Sequence, residues 1–281
     1  MKNRWEAVRL NRSLNIVPQS PAIMGVLNIT PDSFSDGGQY LQFEQAISKA
    51  KQMHAQGADW IDIGGESTRP GAPAVDETEE LSRVIPILKA LKSELNVKVS
   101  VDTSKAVVMR AAIAAGVDMI NDVCALQNQD ALEAVADDPV PICLMHMQGS
   151  PRTMQDNPSY GDVVDDIKHF FDRRIEACLQ AGIDTSRLVL DPGFGFGKTL
   201  DHNIEILKRF SEFKTFGLPL LAGLSRKSMI GAMLGDRPIE ERMVGSVIGA
   251  IIAINNGADI VRVHDVLETK DAIEIWQRIN G

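Results

Sequence analysis

Gly57-Ala58-Asp59-Trp60-Ile61-Asp62-Ile63 is the stretch whose reading decides the fold. A glycine just past a helix can take the left-handed conformation that turns the chain. An Asp follows two residues later, and then a short run rich in β-formers begins. The same corner returns as Gly116-Val117-Asp118, Gly182-Ile183-Asp184 and Gly257-Ala258-Asp259. Three of the four lead straight into strand-like runs, at 60–63, 119–121 and 260–264. Helix-to-strand corners of one design predict repeated βα units, and hence a parallel sheet.

Working outward, short apolar runs predict strands near 22–28, 59–63, 97–102, 117–121, 140–146, 187–191, 219–224 and 259–264. Amphipathic segments between them predict helices over 43–56, 77–95, 106–115, 130–136, 162–181, 203–216, 239–255 and 266–279. Eight strands are what a closed barrel needs, and such a barrel takes roughly 250 residues. The chain has 281. The fold class is therefore α/β, a (β/α)8 TIM barrel over 22–281, with an open doubly wound sheet as the alternative. Residues 1–21 carry short alternating patches and read as an N-terminal hairpin extension.

Composition excludes several classes. With 44% hydrophobic and 24% charged residues there is material for a large core, so disorder is not expected. A formal net charge of −9 gives no field for nucleic acid, so an anionic ligand must be met by locally placed cations. The longest apolar run, near 247–254, is too short to span a bilayer, and no membrane partner is expected. Cys124, Cys143 and Cys178 are odd in number, widely spaced and set among apolar neighbours, which suits buried thiols in the cytoplasm. The segment 243–254 is apolar nearly all round, which predicts burial on more than one side and most simply a homodimer interface.

The C-terminal ends of barrel strands share one mouth. Here those ends carry Asn28, Asp62, Asp102, Asn121, Met145-His146, Asp191, Ser225-Arg226-Lys227 and Arg262-Val263-His264. Helix capping accounts for an Asp or two, but does not ask for Asn28, Asn121, Lys227, Arg262 and His264. Two chemistries are present. Asp102, Asn121 and Asp191 suit the N–H-rich edge of an aminated heterocycle, because a carboxylate accepts two N–H bonds at once. Asn28, Thr68, Arg69, Arg262 and His264 suit phosphate. Lys227, between a strand end and a helix start, can serve either.

Three loops feed the mouth. Residues 28–38, Asn-Ile-Thr-Pro-Asp-Ser-Phe-Ser-Asp-Gly-Gly, carry an amide, carboxylates and Phe34. Residues 64–71, Gly-Gly-Glu-Ser-Thr-Arg-Pro-Gly, combine hydroxyls, one Arg and Pro70. Residues 191–199, Asp-Pro-Gly-Phe-Gly-Phe-Gly-Lys-Thr, end like a nucleotide-binding loop. That motif needs Gly where Pro192 stands, and the dinucleotide pattern fails at Lys198. Glycines that let backbone approach a flat ligand, with Phe196 against its face, fit better.

Taken together, 28–38, 65–71, 191–198, Ser225-Arg226-Lys227-Ser228 and Arg262-Val263-His264-Asp265 resemble the dihydropteroate synthase family over about 22–281. The resemblance implies a Mg2+-dependent transferase of folate biosynthesis. Such an enzyme joins 6-hydroxymethyl-7,8-dihydropterin diphosphate to 4-aminobenzoate and releases pyrophosphate by an SN1-like route. It implies pterin contacts from Asp102, Asn121, Met145, Asp191, Phe196 and Lys227. Diphosphate would fall to Asn28, Thr68, Arg69, Arg262 and His264, with Asn28 reaching the metal. Phe34, Thr68, Pro70, Phe196 and Ser228 would form the aminobenzoate site, and Asp36, Lys227, Arg262 and His264 the catalytic set. Three alternatives stand beside it. A methyltetrahydrofolate-dependent methyltransferase of the same barrel type has no need of the phosphate set. A non-catalytic pterin-binding paralogue would be expected to lose the loop residues. A small-molecule kinase rests on the Gly-Lys-Thr near-match alone.

Overall fold

The structure is a computed structural model that describes residues 16, 21–29, 39–67, 72–150 and 153–280. The eight strands are β1 (Ala22–Asn28), β2 (Trp60–Gly64), β3 (Lys98–Asp102), β4 (Met119–Asp122), β5 (Ile142–Met145), β6 (Leu188–Asp191), β7 (Leu221–Ala222) and β8 (Ile260–Val263). All pairings are parallel, and the order is β6-β5-β4-β3-β2-β1-β8-β7. A parallel bridge between Leu190 and Leu220 joins β6 to the start of β7 and closes the ring. Pairing of β1 with both β2 and β8, plus this bridge, rules out the open doubly wound sheet.

Around the barrel lie α1 (Gln39–Ala55), α2 (Glu77–Glu94), α3 (Ala106–Ala114), α4 (Ala131–Ala136), α5 (Val163–Gln180), α6 (Leu200–Lys208), α7 (Ser228–Met233), α8 (Met243–Asn255) and α9 (Val266–Asn280). Two expected helices are broken. The segment 203–216 divides into α6 and a 3-10 turn, Phe210–Phe216, where the tighter winding stacks Phe210, Phe213 and Phe216 at every third residue in the core. The segment 239–255 divides at Arg242, whose guanidinium turns back to the carbonyls of Arg237 and Arg226.

The recurring Asp has a structural reason. Asp59, Asp118 and Asp259 each accept the leading N–H of a neighbouring strand, from Ile23, Val99 and Leu220, at 2.8, 2.7 and 2.9 Å. These are strand-edge donors that water would otherwise have to satisfy. Asp184 instead caps the turn Thr185–Arg187 before β6, which is why that corner alone does not enter its strand directly.

Alternation along the strands separates two cores. Ile23, Leu27, Ile61, Ile63, Val99, Val101, Leu188 and Leu190 point out against the helices. Met24, Trp60, Met119, Cys143, Val189, Leu221 and Ile260 point in and fill the lower barrel, joined by Ile16. Of the hairpin expected over 1–21, only Ile16 and Pro21 fall among the described residues.

Candidate active site

The same alternation builds the site. Two residues on from Trp60, Met119, Val189 and Ile260, the inward position holds Asp62, Asn121, Asp191 and Arg262. An apolar plug thus carries a polar layer directly above it. At its centre the Arg262 guanidinium forms two ion pairs, Nε to Asp62 at 2.6 Å and a terminal nitrogen to Asp102 at 3.0 Å. Asp62 is wholly buried and also accepts from the Ser100 hydroxyl and, at 3.2 Å, from the Asn121 amide. Beside β8, the His264 ring nitrogen Nδ1 lies 3.1 Å from the Ser225 hydroxyl.

The loop after β6 closes one side. Asp191 accepts the Gly193 N–H at 2.7 Å, and Asn203 accepts that of Gly195 at 2.7 Å. Gly193 has φ of 71°, and a Cβ added there would lie 1.9 Å from the carbonyl oxygen of His146. No side chain fits that approach. Lys227 reaches across to donate to the Phe194 carbonyl, with its ammonium 4.5 Å above the Phe196 ring. Behind this contact Arg226 is paired to Asp265 through two nitrogens, at 2.9 and 2.5 Å. That pair ties the β7 and β8 loops together.

Electrostatics in the layer are set first by burial. Burial pushes Asp102 up to about 7; Arg262 opposes the rise, and Asp62, Glu80 and Asp122 add to it. Burial also raises Asp191, against the pull of Lys227 and of the Gly193 N–H. Lys227 is brought down to about 8 by burial, with Asp191 restraining the fall. Burial works against the charge on Arg262, but Asp62 and Asp102 more than offset it and the group stays cationic. Near neutrality the layer therefore holds carboxyl and ammonium groups close to their titration points, a mark of functional sites.

A cavity of about 600 Å³ opens from Asp102 past Lys105, Cys124 and Met147. Lys105 spans its wall between Glu66, at 2.5 Å, and the buried Glu80, pinning the β2 loop to the β3 loop.

Of the residues read from the sequence, Asp102, Asn121, Asp191, Lys227 and Arg262 come together in this layer. Met145 ends β5 beside Asp191, its register partner. Asn28 ends β1 opposite Gly64, where a Cβ would come within 3.2 Å of its side-chain oxygen. Ser228 is exposed at the start of α7, a helix of only six residues. Phe34, Asp36, Thr68, Arg69 and Pro70 lie outside the described residues. Asp62 is the main partner of Arg262 and belongs with the site; its signal was its place two residues after Trp60. Ser100, two residues before Asp102, carries the same signal. Cys143 and Cys178 are buried as expected, whereas Cys124 is only partly so, because it borders the cavity.

Comparison with known proteins gives a consistent result. The pterin binding enzyme family matches residues 24–264. The dihydropteroate synthase of Haemophilus influenzae is 52% identical over 257 residues, which cover 92% of this chain and 93% of that one. The solved structure of Xanthomonas albilineans dihydropteroate synthase with 4-aminobenzoic acid superposes with a TM-score of 0.89 at 49% identity, covering 94% of each chain. The same enzyme in complex with 7,8-dihydropteroate gives 0.85 at 45% identity, over 94% of this chain and 95% of that one.

Proposed function

The chain belongs to the pterin-binding enzyme family, among the dihydropteroate synthases, and from that premise we propose how its residues divide the reaction. The substrates are 6-hydroxymethyl-7,8-dihydropterin diphosphate and 4-aminobenzoate; the products are 7,8-dihydropteroate and pyrophosphate. The polar layer over the apolar plug supports this reading most strongly, because it sets acceptors and a guanidinium side by side.

Asp102, Asn121 and Asp191 take the N–H edge of the pterin, Lys227 donates to it, and Met145 and Phe196 border the ring. Arg262 spends two donors on Asp62 and Asp102, which leaves others of its fork for the diphosphate beside His264. Asn28, Thr68 and Arg69 complete the anion end. When the methylene C–O bond breaks, the electron pair leaves on the diphosphate oxygen. The positive charge left behind delocalises into the pterin, where ionised carboxylates stabilise it. The neutral amine of 4-aminobenzoate then attacks the methylene and loses a proton, so neither a strong base nor a covalent enzyme intermediate is required. Phe34, Pro70 and Ser228 are assigned to aminobenzoate and Asp36 to the catalytic set. A six-residue α7 is too short to be an anion site by its dipole alone, so the Ser228 contact rests on the family resemblance.

Mg2+ fits the donor set. Asn28 offers one neutral amide oxygen at a strand end, and among the described residues no cluster of three or more His, Cys, Asp or Glu could cage a metal. Mg2+ that arrives on substrate phosphate oxygens needs few protein ligands. Bound there, it would supply charge stabilisation to the leaving oxygens.

Val244, Ile248 and Ile252 lie four residues apart on α8 and are 61%, 55% and 41% exposed, while the opposite face is buried. Among the described residues nothing covers this stripe, which supports an isologous homodimer through α8. Three unpaired cysteines suit the cytoplasm, and among the described residues no helix is long and apolar enough to cross a membrane. The test of the reaction is pyrophosphate release from pterin diphosphate. It should require both 4-aminobenzoate and Mg2+; release without the amine, or methyl transfer from a reduced folate, would contradict it.

A further inference from the structure

Lys198 takes no part in the reaction described above, yet it is 3% exposed and surrounded by acceptors. Its amine donates to the carbonyls of Gly193 and Phe196, both at 2.9 Å, and of His146 at 3.3 Å. It also lies 2.9 Å from His146 Nδ1. None of these partners is an anion. Burial accordingly pulls the Lys198 pKa well below its ordinary value, with Asp191 opposing, and takes His146 down to about 2. A buried amine is costly unless its donors are used, and here they face three carbonyls of the β5 and β6 loops and the His146 ring.

The loop it holds has few bonds of its own, among them the Phe196 N–H to the Gly193 carbonyl at 3.1 Å. Gly193, Gly195 and Gly197 have φ of 71°, 79° and 62°, so the chain reverses hand repeatedly within five residues. Glycine pays the largest conformational entropy for being ordered. The loop is tethered from outside as well, by the Tyr160 hydroxyl on the Gly197 carbonyl at 2.7 Å and the Gln155 amide on the Gly195 carbonyl at 2.5 Å. Turning the Gly193 and Phe196 carbonyls toward Lys198 leaves the Phe194 carbonyl for Lys227, and sets the Phe196 ring under the Lys227 ammonium.

The geometry points to Lys198 as a positioning residue for the heterocycle: by gathering three carbonyls of the β5 and β6 loops, it holds Phe196 and Lys227 where the pterin meets them. It acts on the ring end of the substrate and leaves the anion end, at Arg262 and His264, untouched. The inference rests on the division of the site proposed above, and its test is separable from turnover.

The probes are 6-hydroxymethyl-7,8-dihydropterin, which lacks the diphosphate, and inorganic pyrophosphate, both titrated calorimetrically. Lys198→Met keeps the chain length and removes the donors. The expected result is that dihydropterin Kd rises about tenfold or more, while pyrophosphate Kd stays within about twofold. A purely structural lysine would lower the unfolding temperature and the active fraction, and move neither Kd. Unchanged dihydropterin binding, or equal weakening of both probes, overturns the inference. Tyr160→Phe, which removes a tether from the same loop at a half-buried position, covers the case in which Lys198→Met does not fold. It should weaken dihydropterin about two- to threefold and leave pyrophosphate unchanged; no change in the dihydropterin Kd would likewise overturn it. Failure of the parent to release pyrophosphate would strike at the reaction, and leave these two ratios to decide the role of Lys198.

Discussion

Replacing Arg262 by Met removes the guanidinium that joins the buried Asp62 to the half-buried Asp102. Asp62 would keep the Ser100 hydroxyl and the Asn121 amide, but Asp102 would lose its 3.0 Å partner. Breaking a buried pair of this kind costs about 3–5 kcal/mol when the remaining charge stays ionised. Here it need not stay ionised, since Asp102 already titrates near 7 with Arg262 in place. A carboxyl raised above its unfolded value binds more protons in the folded state. Its destabilising effect is therefore absent at low pH and grows as pH rises from the ordinary carboxylate range through the folded pKa. Without Arg262 that folded pKa moves higher, so the window extends beyond 7. The stability deficit of Arg262→Met should widen between pH 6 and 8.5 by up to about 1.4 kcal/mol per pH unit through Asp102, and shrink toward pH 5.5. Urea-unfolding midpoints of parent and variant at the two pH extremes measure it. The double variant Asp62→Asn, Arg262→Met should recover part of the loss at high pH. A deficit that is independent of pH, or larger in acid, would refute the view that Arg262 favours the ionised form of Asp102.

Other outcomes follow from the same geometry. Pterin affinity should be greatest between about pH 7 and 8, falling in acid as Asp102 takes a proton and in alkali as Lys227 loses one; a pH series of kcat/KM for pterin diphosphate reads both limbs. Gly193→Ala places a Cβ 1.9 Å from the His146 carbonyl oxygen and should cost at least about 3 kcal/mol in chemical denaturation. Val244→Glu with Ile248→Glu, on the exposed face of α8, should give a monomer by sedimentation while circular dichroism is unchanged. Asp36→Asn should lower turnover and leave pterin diphosphate binding in the absence of 4-aminobenzoate nearly intact, as measured by calorimetry.

Much of the fold is legible in the sequence, for a simple reason. The corner Gly-x-Asp turns the chain and, at three of its four occurrences, caps the strand before it, so it leaves the same mark at successive helix-to-strand junctions. The inward layer was legible through period two: Trp60 then Asp62, Val189 then Asp191, Ile260 then Arg262. What the chain did not announce depends on contacts between distant segments. Arg262 meets Asp62 across 200 residues, and nothing local says that one guanidinium will serve two carboxylates. Lys198 looked like a failed phosphate-loop lysine because its partners include His146, 52 residues earlier. The break at Arg242 likewise depends on the carbonyl of Arg226, 16 residues away. The apolar character of α8 was plain, and the structure locates it as a single uncovered stripe.

The division of the mouth into a heterocycle end and an anion end is tested most directly by calorimetric titration of 6-hydroxymethyl-7,8-dihydropterin into parent, Asp191→Asn and His264→Gln proteins. The prediction is that Asp191→Asn weakens binding about tenfold or more, because an amide sets an N–H donor where the carboxylate has its second acceptor oxygen, while His264→Gln binds the dihydropterin like the parent. Loss of dihydropterin binding in His264→Gln with full retention in Asp191→Asn would contradict the account.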